Sequence, residues 1–302
     1  TCALPIFCNK LWNASRYVMM RLGAVPPPVN EETGAVFEEL APAAPVDFSK
    51  ITGGLSLEEY IQKNRGKFHP VNRWMLSQVQ HATEKMLHGL EAFRLDESAQ
   101  AMYHLTWNTY CDWYIEYSKA LLNGAHRAST PLIEETYVCM LYGLETLLKL
   151  SHPFIPFISE EIFQHLPKRP GVAAKSSLMM ADYPKVKRDW MDADADQKVG
   201  LWSDVISALR TFRGENNISP KARPQVTFEA VSGDSKTKTD VLAAGAEIVR
   251  GLAQVESCTL ETGALKSQPT TGEIVVSGMK LYVPLKGLVD FEAEKKRLIK
   301  EL

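Results

Sequence analysis

The sequence predicts a mainly α protein: an antiparallel helix bundle, then a small α+β module, then the start of a coiled-coil helix. Three observations carry this reading. Apolar residues step by three and four as far as Leu166, the spacing of buried helical stripes. From Lys168 the pattern changes to strand-like pieces alternating with helical ones. At the end, Leu288, Phe291, Leu298 and Leu302 stand at heptad-like spacing around Lys295. The predicted boundaries are 1–167 for the helical bundle, 168–287 for a linker helix with the α+β module, and 288–302 for a truncated coiled-coil start.

In the first helix Leu4, Phe7, Leu11, Ala14, Val18 and Leu22 form one apolar stripe. At roughly 100° per residue, Asn9, Asn13 and Arg16 fall on the opposite face. Gly23 and the run Pro26, Pro27, Pro28 end this helix, and an acidic, Pro/Gly-containing connection to about Leu55 reads as a surface excursion. A second helix is predicted over Val71 to Leu90, with Trp74, Val79, Ala82, Met86 and Leu90 inward and Pro70 near its first turn. A third is predicted from the N-cap Asp96 to Leu122, stopped by Asn123 and Gly124, and a fourth from Thr130 to Leu150. The two prolines of HPFIPFISEE, His152 to Glu161, break the helix and restart it as a short amphipathic piece ending at Leu166 and Pro167. Short loops between such helices make an antiparallel bundle. Beyond it, helices are expected at Lys198 to Glu215 and Thr239 to Leu252, and strands at Gln225 to Ala230, Val255 to Leu260, Glu273 to Val276 and Met279 to Val283.

The chain has 302 residues, 45% of them hydrophobic and 23% charged, a globular composition with room for two cores. No run of about 18 apolar residues and no basic-apolar leader appears, so the expected location is the cytoplasm, with no membrane contact. The cysteines Cys2, Cys8, Cys111, Cys139 and Cys258 are odd in number and never form C-x-x-C, so they read as buried reduced thiols. His81 and His88 lack a third ligand nearby, and no metal site is expected. The net charge of −2 hides segregation: residues 9 to 21 hold Lys10, Arg16 and Arg21 without an acid, while 31 to 59 are strongly acidic. The chain opens at Thr1 in a helical pattern and stops at Leu302 in mid-helix, so it reads as a fragment.

No G-x-G-x-x-G, G-x-x-x-x-G-K-[ST], H-E-x-x-H or G-x-S-x-G occurs, which removes the dinucleotide, P-loop, zincin and hydrolase readings. The pairs Glu134-Glu135 and Glu160-Glu161 are adjacent on helices, point about 100° apart and read as solvated surface charge. No catalytic residue is therefore assigned.

The string FCNKLWNASR, Phe7 to Arg16, resembles the opening of the anticodon-binding domain of valyl-tRNA synthetases. NRWMLSQ, Asn72 to Gln78, resembles the start of that bundle's second helix, and TWNTYCDWYIEYSK, Thr106 to Lys119, its aromatic third helix. HPFIPFISEEIFQHL is shared with the isoleucine and leucine enzymes, whereas CDWYIE, Cys111 to Glu116, points to valine. WSDVISALRTFRGENNISPKARPQV, Trp202 to Val226, resembles the segment joining bundle to C-terminal module, and MKLYVPLKGLVDFEAEKKRLIKEL the lead-in to a coiled-coil arm that contacts tRNA. Only TCALPI, Thr1 to Ile6, departs from the family's polar, arginine-containing approach.

The resemblance implies a tRNA-binding portion of a class I synthetase, monomeric, with the catalytic and editing domains upstream. It implies no cofactor in this portion, and ATP and Mg²⁺ for the complete enzyme that joins valine to tRNA(Val). Asn9 and Asn13 offer donors and acceptors to base edges, Arg16 can stack or fork, and Lys10 adds a mobile charge. Arg210 and Arg213, one turn apart, are candidates for phosphates, as are Lys295, Lys296 and Arg297 of the arm. Trp107, Tyr110, Trp113, Tyr114 and Tyr117 read as a core stripe and not as base platforms. Two rival readings are the equivalent domain of an isoleucyl or leucyl enzyme and a non-enzymatic helical module that binds protein; salt-sensitive retention on tRNA separates the latter.

Overall fold

The structure, a computed structural model, describes residues 3–25, 44–123, 130–173, 176–219, 221–230, 235–261, 271–286 and 288. It divides into two compact units, Thr1–Asp196 and Gln197–Leu302. Among the described residues the first is helical and the second holds the sheet, so the mainly α bundle followed by an α+β module is what forms.

In the first unit, α1 (Ala3–Arg21) buries Phe7, Leu11, Ala14 and Val18, and Leu22 just beyond it is buried too, as the stripe requires, but Leu4 at its start is 59% exposed. Of the excursion expected to run to Leu55, residues 26–43 lie outside the described residues, and from Asp47 onward the expectation is wrong. That aspartate caps α2 (Phe48–Thr52) by accepting from the Ser49 and Lys50 amides at 3.0 and 3.2 Å, and Phe48 is buried. Ser56 and Glu59 then form a capping box for α3 (Leu57–Asn64), which buries Leu57 and Ile61. α4 (Pro70–Glu91) follows the predicted second helix, with Pro70 in its first turn and the His69 ring accepting from the Val71 amide. At its end Gly89 is obligatory for space: a Cβ there would lie 2.4 Å from Ser98 Oγ and 2.9 Å from the Arg94 carbonyl.

The third helix departs from its prediction in two ways. α5 (Leu95–Tyr103) starts one residue before Asp96, so Asp96 occupies the first turn, bonded to Arg94 at 3.3 Å, and is not the N-cap. From His104 to Tyr114 the backbone is π-helical, and α6 (Ile115–Asn123) resumes the α form. The wider turn shifts the aromatic stripe: Tyr110, Tyr114 and Tyr117 are fully buried, while Trp107 and Trp113 are only half-buried. Tyr114 Oη donates to Asn72 Oδ1 at 2.9 Å, and Asn72 Nδ2 donates to Glu135 Oε1 at 2.9 Å and Thr136 Oγ1 at 3.1 Å. This buried network joins α4 and the aromatic helix to α7 (Thr130–Ser151), and burial raises the Glu135 carboxyl against the pull of its hydrogen bonds. The Trp113 ring stacks on Tyr117 with centroids 5.6 Å apart. Because it is half-buried, Trp113→Ala should cost about 1–3 kcal/mol, less than the roughly 3–5 kcal/mol of a fully buried tryptophan. Denaturant unfolding checks this.

α8 (Pro156–Gln164) restarts the chain at the second proline of the HPFIPF string. The sequence pattern predicts the segment after it as part of the linker and following module, yet residues 168–196 belong to the first unit. They are tied there by isolated polar and aromatic anchors. Arg169 Nε meets Glu145 Oε2 at 2.7 Å, the buried Trp190 lies 5.4 Å from the Tyr142 ring, and Arg73 forks to Asp192 and Asp194 at 2.8 and 3.2 Å. Asp196 accepts from Ser77 at 2.8 Å and Gln78 at 2.9 Å.

The second unit is built on a four-stranded sheet of order β2-β1-β4-β3. β1 (Gln225–Ala230) pairs parallel with β2 (Ser257–Glu261) and antiparallel with β4 (Met279–Pro284), which pairs antiparallel with β3 (Thr271–Val276). Ser277 and Gly278, with φ of 49° and 74°, make the two-residue turn joining β3 to β4. Within this unit lies most of α9 (Ala193–Glu215), longer at its start than predicted. The helix expected over Thr239 to Leu252 is two: α10 (Ser235–Ala244) and α11 (Ala246–Ala253), separated at Gly245. They supply the crossover that a parallel β1–β2 pair requires. Of the coiled-coil start at 288–302 only Leu288 is described; the rest lies outside the described residues.

Candidate nucleic-acid interface

α1 carries no acidic residue, and its buried stripe fixes which face is free. Asn9, Asn13 and Arg16 are all exposed on that face, at spacings that stack them within two turns. Among the described residues none of the three makes a side-chain hydrogen bond or ion pair, so their donors and acceptors point to solvent. Trp12, 41% exposed, lies on the same face.

Lys10 is different. It was expected to be a mobile charge at the flank, but it is half-buried, ion-paired with Asp112, and its Nζ stands 3.8 Å over the Trp107 ring. Trp107 in turn stacks on Tyr103 with centroids 5.6 Å apart, and Tyr103 on Phe7 at the same distance. Lys10 therefore clamps α1 to the π-helical segment and is not a free charge.

The two arginines of α9 come together as predicted, but both bond backbone carbonyls, and of the two only Arg210 is exposed. Arg210 Nε and Nη2 donate to the Leu252 carbonyl at 3.1 and 3.0 Å. Arg213, buried, donates to the Gln254 carbonyl at 2.7 Å and the Ser219 carbonyl at 3.1 Å. The end of α11 leaves carbonyls without helical partners, and the two guanidinium groups satisfy them. Buried and bonded to two backbone carbonyls, Arg213 does not present its guanidinium to a phosphate strand. Lys295, Lys296 and Arg297 lie outside the described residues.

Burial pushes Cys111 up to about 12 and Cys258 up to about 11, so both are protonated at pH 7. Cys139 is fully buried, whereas Cys8, Cys111 and Cys258 are half-buried, short of the burial expected, and Cys2 lies outside the described residues. Among the described residues no group of three potential ligands could hold a metal ion, and no helix is long and apolar enough to cross a membrane.

Sequence comparison places this geometry among relatives. The family described as the anticodon-binding domain of tRNA ligase matches residues 72–228. Valine–tRNA ligase of Stenotrophomonas maltophilia (strain K279a) is 34% identical over 299 residues, 98% of this chain and 27% of the relative. The enzymes of the same name from Carboxydothermus hydrogenoformans and Geobacter sulfurreducens are each 32% identical over 98% of this chain, covering 28% and 29% of their own lengths. The chain thus spans less than a third of the relatives it matches.

Proposed function

We propose a function for this chain from one premise: it belongs to the anticodon-binding domain family of tRNA ligases. The chain is the tRNA-binding portion of a valine–tRNA ligase, gripping tRNA(Val) while catalytic and editing domains elsewhere in the larger enzyme activate valine with ATP and Mg²⁺ and transfer it to the tRNA terminus. The work is cytoplasmic and done by a monomer. The observation that carries the reading is the free polar face of α1, where Asn9, Asn13 and Arg16 stand exposed and without partners among the described residues. Two amides and a guanidinium in that arrangement match the hydrogen-bonding edges of unpaired bases, the part of RNA that carries readable sequence.

Filter binding of Asn13→Ala and Arg16→Ala variants to valine-accepting tRNA, and to the same tRNA with an altered anticodon, tests it. Each substitution should weaken the matched RNA by about 1–3 kcal/mol and the altered one far less, with melting unchanged because both side chains are exposed. Equal losses on both RNAs would leave a generic basic surface in place of base reading. Lys10→Ala, by contrast, should lower the melting temperature, since it removes the clamp to Asp112 and Trp107.

A further inference from the structure

Trp12 is set apart from every other tryptophan in the chain. Trp74 meets Tyr117 edge-on at 5.9 Å, Trp107 stacks on Tyr103 under Lys10, Trp113 stacks on Tyr117, Trp190 packs on Tyr142, and Trp202 donates to the Val241 carbonyl. Among the described residues Trp12 has no ring, cation or hydrogen-bond partner, and it is 41% exposed. It follows Asn9 by three residues and precedes Arg16 by four, so the indole borders the free polar face on the side away from Lys10.

We infer that Trp12 is a nucleobase-stacking residue: its open indole takes the face of an unpaired RNA base whose edge is read by the neighbouring Asn9, Asn13 or Arg16. The inference rests on the tRNA reading above and deepens it. A helix that has already buried its stripe gains nothing by presenting its largest apolar side chain to water. A flat π-surface beside unpartnered amides and a guanidinium is what an extruded base requires, one group for its face and others for its edge. A protein partner would be better served by an apolar patch, whereas the centre of this face is polar.

The test uses the full 302-residue chain with Trp12→Leu, which keeps apolar bulk but loses the π-face, and Trp12→Phe, which keeps a ring. Valine-accepting tRNA should bind Trp12→Leu about ten- to a hundredfold more weakly and Trp12→Phe within about threefold of the parent, with melting temperatures unchanged. Fluorine NMR of the chain labelled with 5-fluorotryptophan gives an independent readout. The resonance missing from Trp12→Phe should be the one that shifts when tRNA is added. If Trp12→Leu binds like the parent while Arg16→Ala is weakened, stacking is overturned and the tRNA reading stands. If the parent shows no salt-sensitive tRNA binding, both fall. A change in self-association without a change in RNA affinity would assign the ring to a protein contact and overturn the inference.

Discussion

Replacing Arg169 with methionine is expected to destabilise the chain by about 3–5 kcal/mol at pH 7, because it leaves a buried carboxylate with Lys149, 2.8 Å away, as its remaining cation. The Arg169 and Glu145 side chains are only 4% and 10% exposed, and Nε meets Oε2 at 2.7 Å. Arg169 also donates to the Pro167 carbonyl at 2.9 Å and lies 5.2 Å from the Phe163 ring. Burial by itself would push the Glu145 carboxyl up, but Arg169 and Lys149 together outweigh it and hold the group below its usual range. A carboxylate lowered in this way adds stability above its unfolded pKa, and that contribution is lost as the pH falls through the lower folded value. The deficit of Arg169→Met should therefore be largest near neutrality and should narrow in acid, where Glu145 of the variant takes up a proton. Adding Glu145→Gln to Arg169→Met should recover part of the loss, since the under-compensated buried charge is gone. Urea unfolding of the parent, single and double variants between about pH 4 and 8 decides it. A loss under about 1 kcal/mol, or one that does not vary with pH, would show that the pair does not hold this segment.

The contrast between what was legible in the sequence and what was not follows from the range of the interactions. The stripe from Phe7 to Leu22 and the strands at Gln225 and Met279 announce themselves because a period of 3.6 or 2 is a local property of the chain. α2 and α3 were hidden in an acidic stretch, although Asp47 and the Ser56-Glu59 box are ordinary cap signals and could have been found. The π turn carries no composition of its own. The segment 168–196 shows no periodicity, because Arg169, Trp190 and Asp196 are held by isolated long-range contacts, and pairing of this kind cannot be read from spacing. The same limit applies at the interface. Asn9, Asn13 and Arg16 were legible because a helix projects them, whereas Lys10 finds Asp112 at a separation of 102 residues and Arg213 finds backbone carbonyls.

The largest effect in the second unit is expected from Trp202→Ala, at about 3–5 kcal/mol. The indole is 1% exposed, and its Nε1 donates to the Val241 carbonyl at 2.9 Å, near the end of α10. Its face lies against Gly245, where α10 gives way to α11: a Cβ on that glycine would sit 2.2 Å from Cε2 of the ring and 2.4 Å from Nε1. Gly245 has φ of −106°, a value open to any residue, so its smallness is required by the indole and not by the backbone. Truncating Trp202 empties a site that the surrounding helices cannot refill and leaves the Val241 carbonyl with only the Gly245 amide, at 3.3 Å. Amide exchange in β1 and β4 should accelerate by at least about a hundredfold. Gly245→Ala presses on the same contact from the other side and should cost about 1–3 kcal/mol by overpacking. The two losses should not add. In the double variant the new methyl enters space the indole has left, so the combined cost should fall below the sum of the single ones. Strict additivity in a double-mutant cycle would mean that the helix break, and not the ring, demands glycine at 245.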